Sequence, residues 1–509
     1  MSTGQTAPLS GARLVLAAAL IGMGNLLVVL DTTIANVSVP TIAGSLGVSA
    51  SQGTWVITSY AVAEAITVPL TGWLANRFGA QRVFLACYFA FGVFSLLCGL
   101  STSLGMLVGF RVVLGLCGGP IMPLAQTLLM RLLPPEKQTL GTVMWAMTTL
   151  IGPIIGPVLG GTLCDTVGWS WIFFIGVPAA LGGGLLLMTL LRGQPDPTQS
   201  ARIDTVGLGL LIVWVGALQI LLDEGRQHDW FASTEMCVLA VVAALGFGAF
   251  LIWELTEKHP IVDLRVFRHR GFAAAAGTYS LGFAAFFASI VILPLWLQQN
   301  LGYTATWAGY ATGLMGVFAV LSAPIVGKMA ETVDPRRLIS IGILGLAGVT
   351  AWRTWFSTDV TFWQMAIPTL LTGPCMVLFF VPVTGLAMAT VAPGEEATAA
   401  GLSNFARTLA GAFATSIVQT QWANDASANQ TEIAGAMARQ GTATIEAMQD
   451  GGFSHEGAVG MLDALVQGQS VMLASIHVFA EIAALFVLAA AVIWLAPKPK
   501  GPIDTSGAH

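Results

Sequence analysis

Ionisable side chains set inside long apolar runs are where this sequence can do chemistry, because each such group is costly in hydrocarbon and is a functional candidate by default. Asp31 stands in the run that begins at Leu14, and Arg111 in the run that begins at Leu104. Counted from the outer ends of those runs, Asp31 lies roughly 12 Å deep and Arg111 roughly 10 Å deep at helical rise. At matching depth the two can pair. Burial and a neighbouring arginine then compete over the carboxyl proton, so a proton or a cationic ligand can switch the group; the alternative is a static structural ion pair. Glu64 lies near the middle of another run, roughly 18 Å from the outside, with no basic residue near it in sequence. It reads as a proton-coupling or ligand-binding carboxyl, or as a hydrogen-bonded contact between helices.

Other polar residues in apolar runs are Gln126, Asn404 and Arg407, which read as lining of an internal cavity, with packing against carbonyls as the alternative for Arg407. Trp55 and Tyr60 can stack on an aromatic guest, although Trp55 also suits an interfacial anchor. His477 and Glu481, one turn apart, can form a second titrating pair. Asp223 and Glu224 end a run where solvated interfacial charge is the expectation. The stretch Ile151–Gly161, IGPIIGPVLGG, is unusual. Gly152, Gly156 and Gly160 recur every fourth residue and leave a flat stripe for close helix approach, with Gly161 beside it. Pro153 and Pro157 bend the same segment, which a membrane span tolerates better than a soluble helix. Such a surface can slide or rock, or serve only as a packing face.

The elements that must hold these residues follow from composition. Apolar residues make up 55% of 509 and charged residues 9%, with a mean hydropathy of +0.78; that is outside the range of soluble chains. Apolar runs between breaks give fourteen expected spans, near 14–39, 52–75, 83–101, 104–130, 140–163, 171–191, 203–222, 234–253, 272–295, 305–327, 338–356, 362–389, 399–421 and 471–496. With the N-terminus inside, 16 of the 21 Lys and Arg fall in inner loops or inner ends, among them Arg77, Arg82, Arg131, Lys137, Arg202, Lys328, Arg337, Lys498 and Lys500. The outer loops hold only Arg226 and Arg439. That bias predicts both termini on the cytoplasmic side.

Two segments, GWLANRFGAQR (72–82) and GKMAETVDPRR (327–337), repeat at an offset of 255, which also relates Pro69 to Pro324 and Gly156 to Gly411. The expected fold is therefore all-α, with pseudo-symmetric six-helix bundles at 1–200 and 272–509 and two inserted helices with an inner linker at 201–271. Within the linker, 254–271 reads as a surface helix. The outer stretch 422–470 reads as one or two amphipathic helices or a disordered loop. The first apolar run is too long for a cleavable signal.

The motifs resemble those of the major facilitator superfamily, in particular its fourteen-span drug–proton antiporters of the EmrB/QacA type. LDTTIANVSVP (30–40) is similar to the first-span motif with Asp31 at its acidic position, RVVLG (111–115) to the fourth-span motif, and IGPIIGPVLGG to the antiporter motif. GWLANRFGAQR is similar to the inner-loop motif, with Gly72, Arg77, Gly79 and Arg82 in place and Arg337 in its repeat; the motif's usual Asp is Asn76 here. WSWIFFIGVP, PIVDLRVF and LSNFARTLAG also resemble this branch, though Gly176 stands where Asn is common. The resemblance implies two bundles rocking about a central cavity, proton coupling through Asp31 and Arg111, and export of hydrophobic toxic compounds from a bacterial inner membrane. It further implies, in Gram-negative members, a periplasmic membrane-fusion adaptor and an outer-membrane channel. Glu64 and Glu481 are not part of the family pattern.

An enzyme is not expected, since HExxH, Cys-x-x-Cys and GxSxG are missing from the sequence. No cofactor and no metal site are expected; the six cysteines stand singly as small apolar residues. Gly327-Lys328-Met329 is not a phosphate loop, and no basic tract suits nucleic acid. An exporter of one metabolite or siderophore is the rival within the same machinery.

Overall fold

The computed structural model describes residues 11–134, 138–198, 203–258, 260–303, 305–358, 360–392, 395–437 and 441–497. Lys137, Arg202, Arg439, Lys498 and Lys500 lie outside the described residues, as do the side chains of Pro153, Pro157 and Glu331.

The chain opens with α1 (Gly11–Ser45), α2 (Ala50–Gly53), α3 (Trp55–Thr67), α4 (Thr71–Phe78), α5 (Ala80–Gly99) and α6 (Leu104–Leu132). Next come α7 (Gln138–Thr166), α8 (Trp171–Phe174), α9 (Val177–Leu190), α10 (Thr205–Glu224) and α11 (Thr234–Thr256). The rest is α12 (Arg270–Asn300), α13 (Ala305–Thr332), α14 (Pro335–Trp352), α15 (Phe362–Ala389), α16 (Glu396–Met437), α17 (Gly441–Asp450) and α18 (His455–Val492). Among the described residues there is no strand, and eleven helical segments are long and apolar enough to cross a membrane. The expected spans 52–75, 140–163 and 399–421 are helical as α3–α4, α7 and α16 but are not among the eleven. Pro69 sits where α3 breaks from α4, since its ring removes a donor and clashes with the preceding turn.

On α11, Val238, Val241, Leu245, Ile252 and Leu255 all face outward, and Leu245 is 70% exposed. A wall of that kind is stable in lipid, where apolar side chains need not turn inward. Around the core, α1 packs on α6, α7 and α9, α5 on α6 and α9, and α3 on α6. In the second half α12 packs on α15, α16 and α18, and α14 on α15 and α18. The halves meet through α7 with α13 and α6 with α16. The pair α10–α11 lies against α3 and α16, with the Trp214 ring wedged among Phe247, Phe250 and Phe405.

The repeat offset is visible in packing. A Cβ at Gly156 of α7 would strike Thr33 of α1, and one at Gly411 of α16 would lie 3.1 Å from Phe283 of α12. In each half a helix crosses its partner closely at a glycine, more tightly at Gly156 than at Gly411.

One expectation on a connecting segment is corrected and another is refined. The segment 254–271 is not a surface helix but a strap with a 3-10 turn at Leu264–Arg268. Its backbone is claimed by other partners: Glu254 accepts from Val262 N at 3.2 Å, and Asp263 accepts from Arg265 N at 3.0 Å. The described residues of 422–470 are mainly helical, as one of the two readings has it, and the flanking helices do not stop with hydropathy. α16 continues to Met437 and α18 already begins at His455, with α17 between them.

Candidate functional site

Arg111 is fully buried on α6. Its Nη1 is paired with the Asp31 carboxylate of α1 at 2.5 Å, and its Nε donates to the Val56 carbonyl of α3 at 2.8 Å. The guanidinium also lies over the Tyr60 ring, 4.4 Å from its centre. One side chain thus ties three helices together, and Asp31 and Arg111 stand level with each other. Asp31 is 8% exposed, so this ion pair is held away from solvent, where breaking it leaves an uncompensated charge.

Glu64 is buried one helix away on α3. Among the described residues its carboxylate has no hydrogen-bond partner, but Arg407, Asp31 and Arg111 all act on it electrostatically. Arg407 belongs to the opposite half, so the nearby positive charge absent from the local sequence comes from across the fold, although it forms no ion pair with Glu64. There, Arg407 lies over the Phe283 ring at 4.5 Å and reaches the Met122 sulfur at 2.7 Å. Asn404 donates to Gln126 Oε1 at 3.2 Å. The structure therefore brings Gln126, Asn404 and Arg407 together where α6 meets α16, all three nearly sealed from solvent.

The aromatic pair divides. Trp55 is 40% exposed, whereas Tyr60 is fully buried with its face occupied by Arg111, so it offers no stacking surface to a guest in this arrangement. The glycine stripe also finds a specific partner. Gly152 and Gly156 face Val29 and Thr33 of α1, Gly160 faces Ile34, and Thr33 Oγ1 donates to the Gly152 carbonyl at 3.2 Å. Gly161 has open space beside it. The stripe is thus buried inside the first half; α7 meets α13 and α15 elsewhere on its surface.

Gly72 of α4 abuts Thr398 of α16: a Cβ there would lie 3.0 Å from the Thr398 Cβ. Gly79 takes a positive φ of 96° that glycine adopts without cost, which lets Asp196 accept from Gln81 N and Arg82 N at the start of α5. Arg131 of α6 reaches Glu396 of α16 at 3.5 Å. Arg77 and Arg82 have no ion-pair partner among the described residues. In the repeat, Arg336 rather than Arg337 is engaged, pairing with Asp334 at 3.0 Å and donating to the Ala496 carbonyl, while Arg337 is exposed.

Two expected arrangements are not found. His477 and Glu481 do not pair with each other. His477 faces Asp425 at 3.9 Å, and Glu481 accepts from Gln421 at 2.6 Å, both partners on the long α16. Nor is the end of α10 solvated. Glu224 is buried and accepts from Thr54 Oγ1 at 3.0 Å, while Asp223 accepts from Gln219 at 3.2 Å. The cover comes from α3 and α16, whose Ser416 donates to the Leu222 carbonyl. A further buried cation is Arg353, 3% exposed and bonded to hydroxyls of α12 and α15. Its position in an apolar run was the available signal.

Apolar helices in two repeated halves, with the Asp31–Arg111 ion pair buried among them, define a multi-pass membrane transporter. Residues 21–415 match the Major Facilitator Superfamily. The chain is 42% identical over 503 residues to the multidrug export protein EmrB of Escherichia coli strain K12, covering 98% of each chain. It is 38% identical to the fatty acid resistance protein FarB of Neisseria gonorrhoeae, covering 97% of this chain and 98% of that one. Among solved structures, the human organic anion transporter MFSD10 superposes with a TM-score of 0.60 at 14% identity, over 95% of this chain and all of that one. The proton:xylose symporter XylE gives 0.59 at 15% identity over 96% of each. The chain belongs to the Major Facilitator Superfamily, a family of transporters and not of enzymes.

Proposed function

We propose that the chain is a proton-driven multidrug antiporter of the bacterial inner membrane that exports hydrophobic toxic compounds. The observation that carries this reading is the buried contact of Asp31 with Arg111, beside a buried Glu64 that feels the charge of Arg407 from across the contact between the halves. A proton on Asp31 releases Arg111 and a deprotonated Asp31 recaptures it, so proton binding changes how α1, α3 and α6 are held together. Cargo that binds one arrangement more tightly shifts the same balance, and only that difference in affinity couples the two fluxes. Gln126, Asn404, Arg407 and Trp55 are the residues assigned to cargo, and Gly72, Arg77, Gly79, Arg82 and Arg337 to the inner gate.

The same reading holds fourteen spans, both termini cytoplasmic, and halves 1–200 and 272–509 rocking about the inserted 201–271. The contacts Gly72 with Thr398 and Arg131 with Glu396 then close the cytoplasmic end. The helical continuation of α16 and α18 supports an outer platform for a periplasmic adaptor, with an outer-membrane channel beyond it. The names of the relatives support hydrophobic cargo.

The test is pH-driven uptake into inverted vesicles. Asp31→Asn abolishes it while the purified protein keeps its melting behaviour; full proton-coupled uptake by the variant removes Asp31 from the mechanism. Similarity to the fatty acid resistance protein FarB favours a second reading, a narrower cargo such as one class of amphipathic acid. An efflux panel in cells lacking other pumps separates the two, since a multidrug exporter broadens resistance across unrelated compounds.

A further inference from the structure

The strap between α11 and α12 is fastened by a carboxyl group that the transport reading leaves idle. Glu254 stands in the last turn of α11 and is 1% exposed. Its Oε2 accepts from Val262 N of the strap at 3.2 Å, whereas its Oε1 is buried without a hydrogen-bond partner among the described residues. What Oε1 faces is another carboxylate. A Cβ at Gly207 of α10 would strike both Glu254 Oε1 and Asp204 Oδ2, so the two oxygens meet at one point where the glycine puts no side chain. Asp204 caps α10 and is well supplied with donors: Gly207 N reaches Oδ1 at 2.9 Å, and Trp253 Nε1 reaches Oδ2 at 2.9 Å. Glu254 has one donor for two oxygens.

The charges that act on Glu254 share its sign: Asp204 of α10, Asp263 of the strap and Glu257 just beyond α11. Among the described residues no basic group lies within ion-pair distance of it. Arg265 in the turn of the strap donates to the Glu257 carbonyl at 3.0 Å, and Lys258 is exposed. Two carboxylates at close quarters, one of them sealed from water, do not both hold a charge, and a proton held between them turns repulsion into a hydrogen bond. The donors decide which group carries it. An ionised carboxylate only accepts, and Asp204 already accepts from a backbone and an indole N–H. Glu254 Oε1–H then donates to Asp204 while Oε2 keeps Val262.

We propose that Glu254 and Asp204 share one proton, and that this proton fastens the strap to the inserted pair α10–α11. Its loss to water leaves two facing negative charges, which push the Glu254 side chain away and release Val262. The far end of the strap is tied to Glu395, by Arg268 at 2.8 Å and His269 at 3.2 Å, and the next residue, Glu396, makes the contact with Arg131 between the halves. A strap freed at Glu254 thus loosens its hold beside that contact, and alkaline pH on this side eases the parting of the halves. Only the assignment of the contact to the inner gate rests on the transport reading; the shared proton does not.

The test is hydrogen exchange at the Val262 amide of the full-length protein in detergent, followed from about pH 6 to about pH 9 and corrected for the intrinsic pH dependence of exchange. His269, the other titratable group of the strap, lies outside the amide that is read. Protection is expected to fall by about tenfold as the pH rises, the loss of one hydrogen bond to a strong acceptor. Glu254→Gln keeps both bonds without a titrating proton, its amide donating to Asp204 and its carbonyl accepting from Val262. Its protection is expected to stay at the acidic level throughout. Infrared difference spectra at neutral pH are expected to show one protonated carboxyl band that Glu254→Gln lacks. Should the variant fail to fold, the exchange profile of the unaltered protein still decides. Protection of Val262 that ignores pH, an infrared spectrum unaltered by Glu254→Gln, or protection already lost in that variant at acidic pH would each overturn the proposal. None of these readouts uses transport, so a pump indifferent to Asp31→Asn would leave them standing.

Discussion

Arg111 makes three engagements at once, and they need its shape as well as its charge. A lysine at this position keeps the charge but cannot reach Asp31 and the Val56 carbonyl together, nor lie flat on Tyr60. Arg111→Lys is therefore expected to lose about 1.5–3 kcal/mol, the range for a hydrogen bond from a charged group, read as a lowered melting temperature of the purified protein. A lysine variant as stable as its parent would mean that the contacts to Val56 and Tyr60 do no holding. Depth along a helix is fixed by rise, so the matched levels of Asp31 and Arg111 were legible in the sequence. Which faces meet is not fixed by rise. That is why His477 and Glu481, correctly placed on one turn, find Asp425 and Gln421 on another helix in place of each other. Asp223 and Glu224 failed in the same way: the end of an apolar run looks like an interface until α3 and α16 cover it.

At the scale of the element, the glycine spacing on α7 foretold a close crossing but not its partner. The partner is α1, and the tightest point is Gly156 against Thr33. Gly156→Val adds two methyl groups where one carbon already collides, so α1 and α7 must part and carry Asp31 away from Arg111. The expected outcome is a loss of roughly 1–3 kcal/mol from overpacking together with loss of transport, whereas Gly161→Val, beside open space, is expected to fold and pump; equal behaviour of the two variants would refute the assignment. The ends of helices were the least legible feature. Hydropathy marks where lipid stops, while α16 and α18 continue because their polar turns still favour helix. The start of α14 was better signalled, by Asp334 followed by Pro335. Asp334 accepts from Arg336, which holds its carboxyl below the ordinary 3.8. A depressed carboxyl contributes stability above its unfolded pKa and loses it as the pH falls through the folded value. Asp334→Ala should cost about 1 kcal/mol, typical of a lost helix cap, and should flatten the acid limb of the melting curve. An unchanged limb would assign that acid sensitivity to other carboxylates.

For the whole molecule, the repeat at 255 residues let the two halves be read from sequence, because each half must solve the same packing problem at Gly156 and Gly411. The contact between halves was not legible, since no pattern within one segment encodes a partner some 300 residues away. The structure supplies it at Gly72 and Thr398, at Arg131 and Glu396, and through Gln126 and Asn404. If alternating access operates as proposed, these inner contacts must open once per cycle, and a covalent tie across them must stop it. A Cβ at Gly72 would sit 3.0 Å from the Thr398 Cβ, and a disulfide needs about 3.5–4.5 Å, which a small retreat of α4 provides. In a background where the six free cysteines are replaced, Gly72→Cys with Thr398→Cys should cross-link under mild oxidation. Transport should then cease, and a reductant should restore it to the level of the reduced double variant. Cross-linking should slow when cargo or pH favours the arrangement open to the cytoplasm. A fully cross-linked protein that pumps at the reduced rate would show that α4 and α16 never separate, and the gate would have to be sought elsewhere along the contact of α7 with α13.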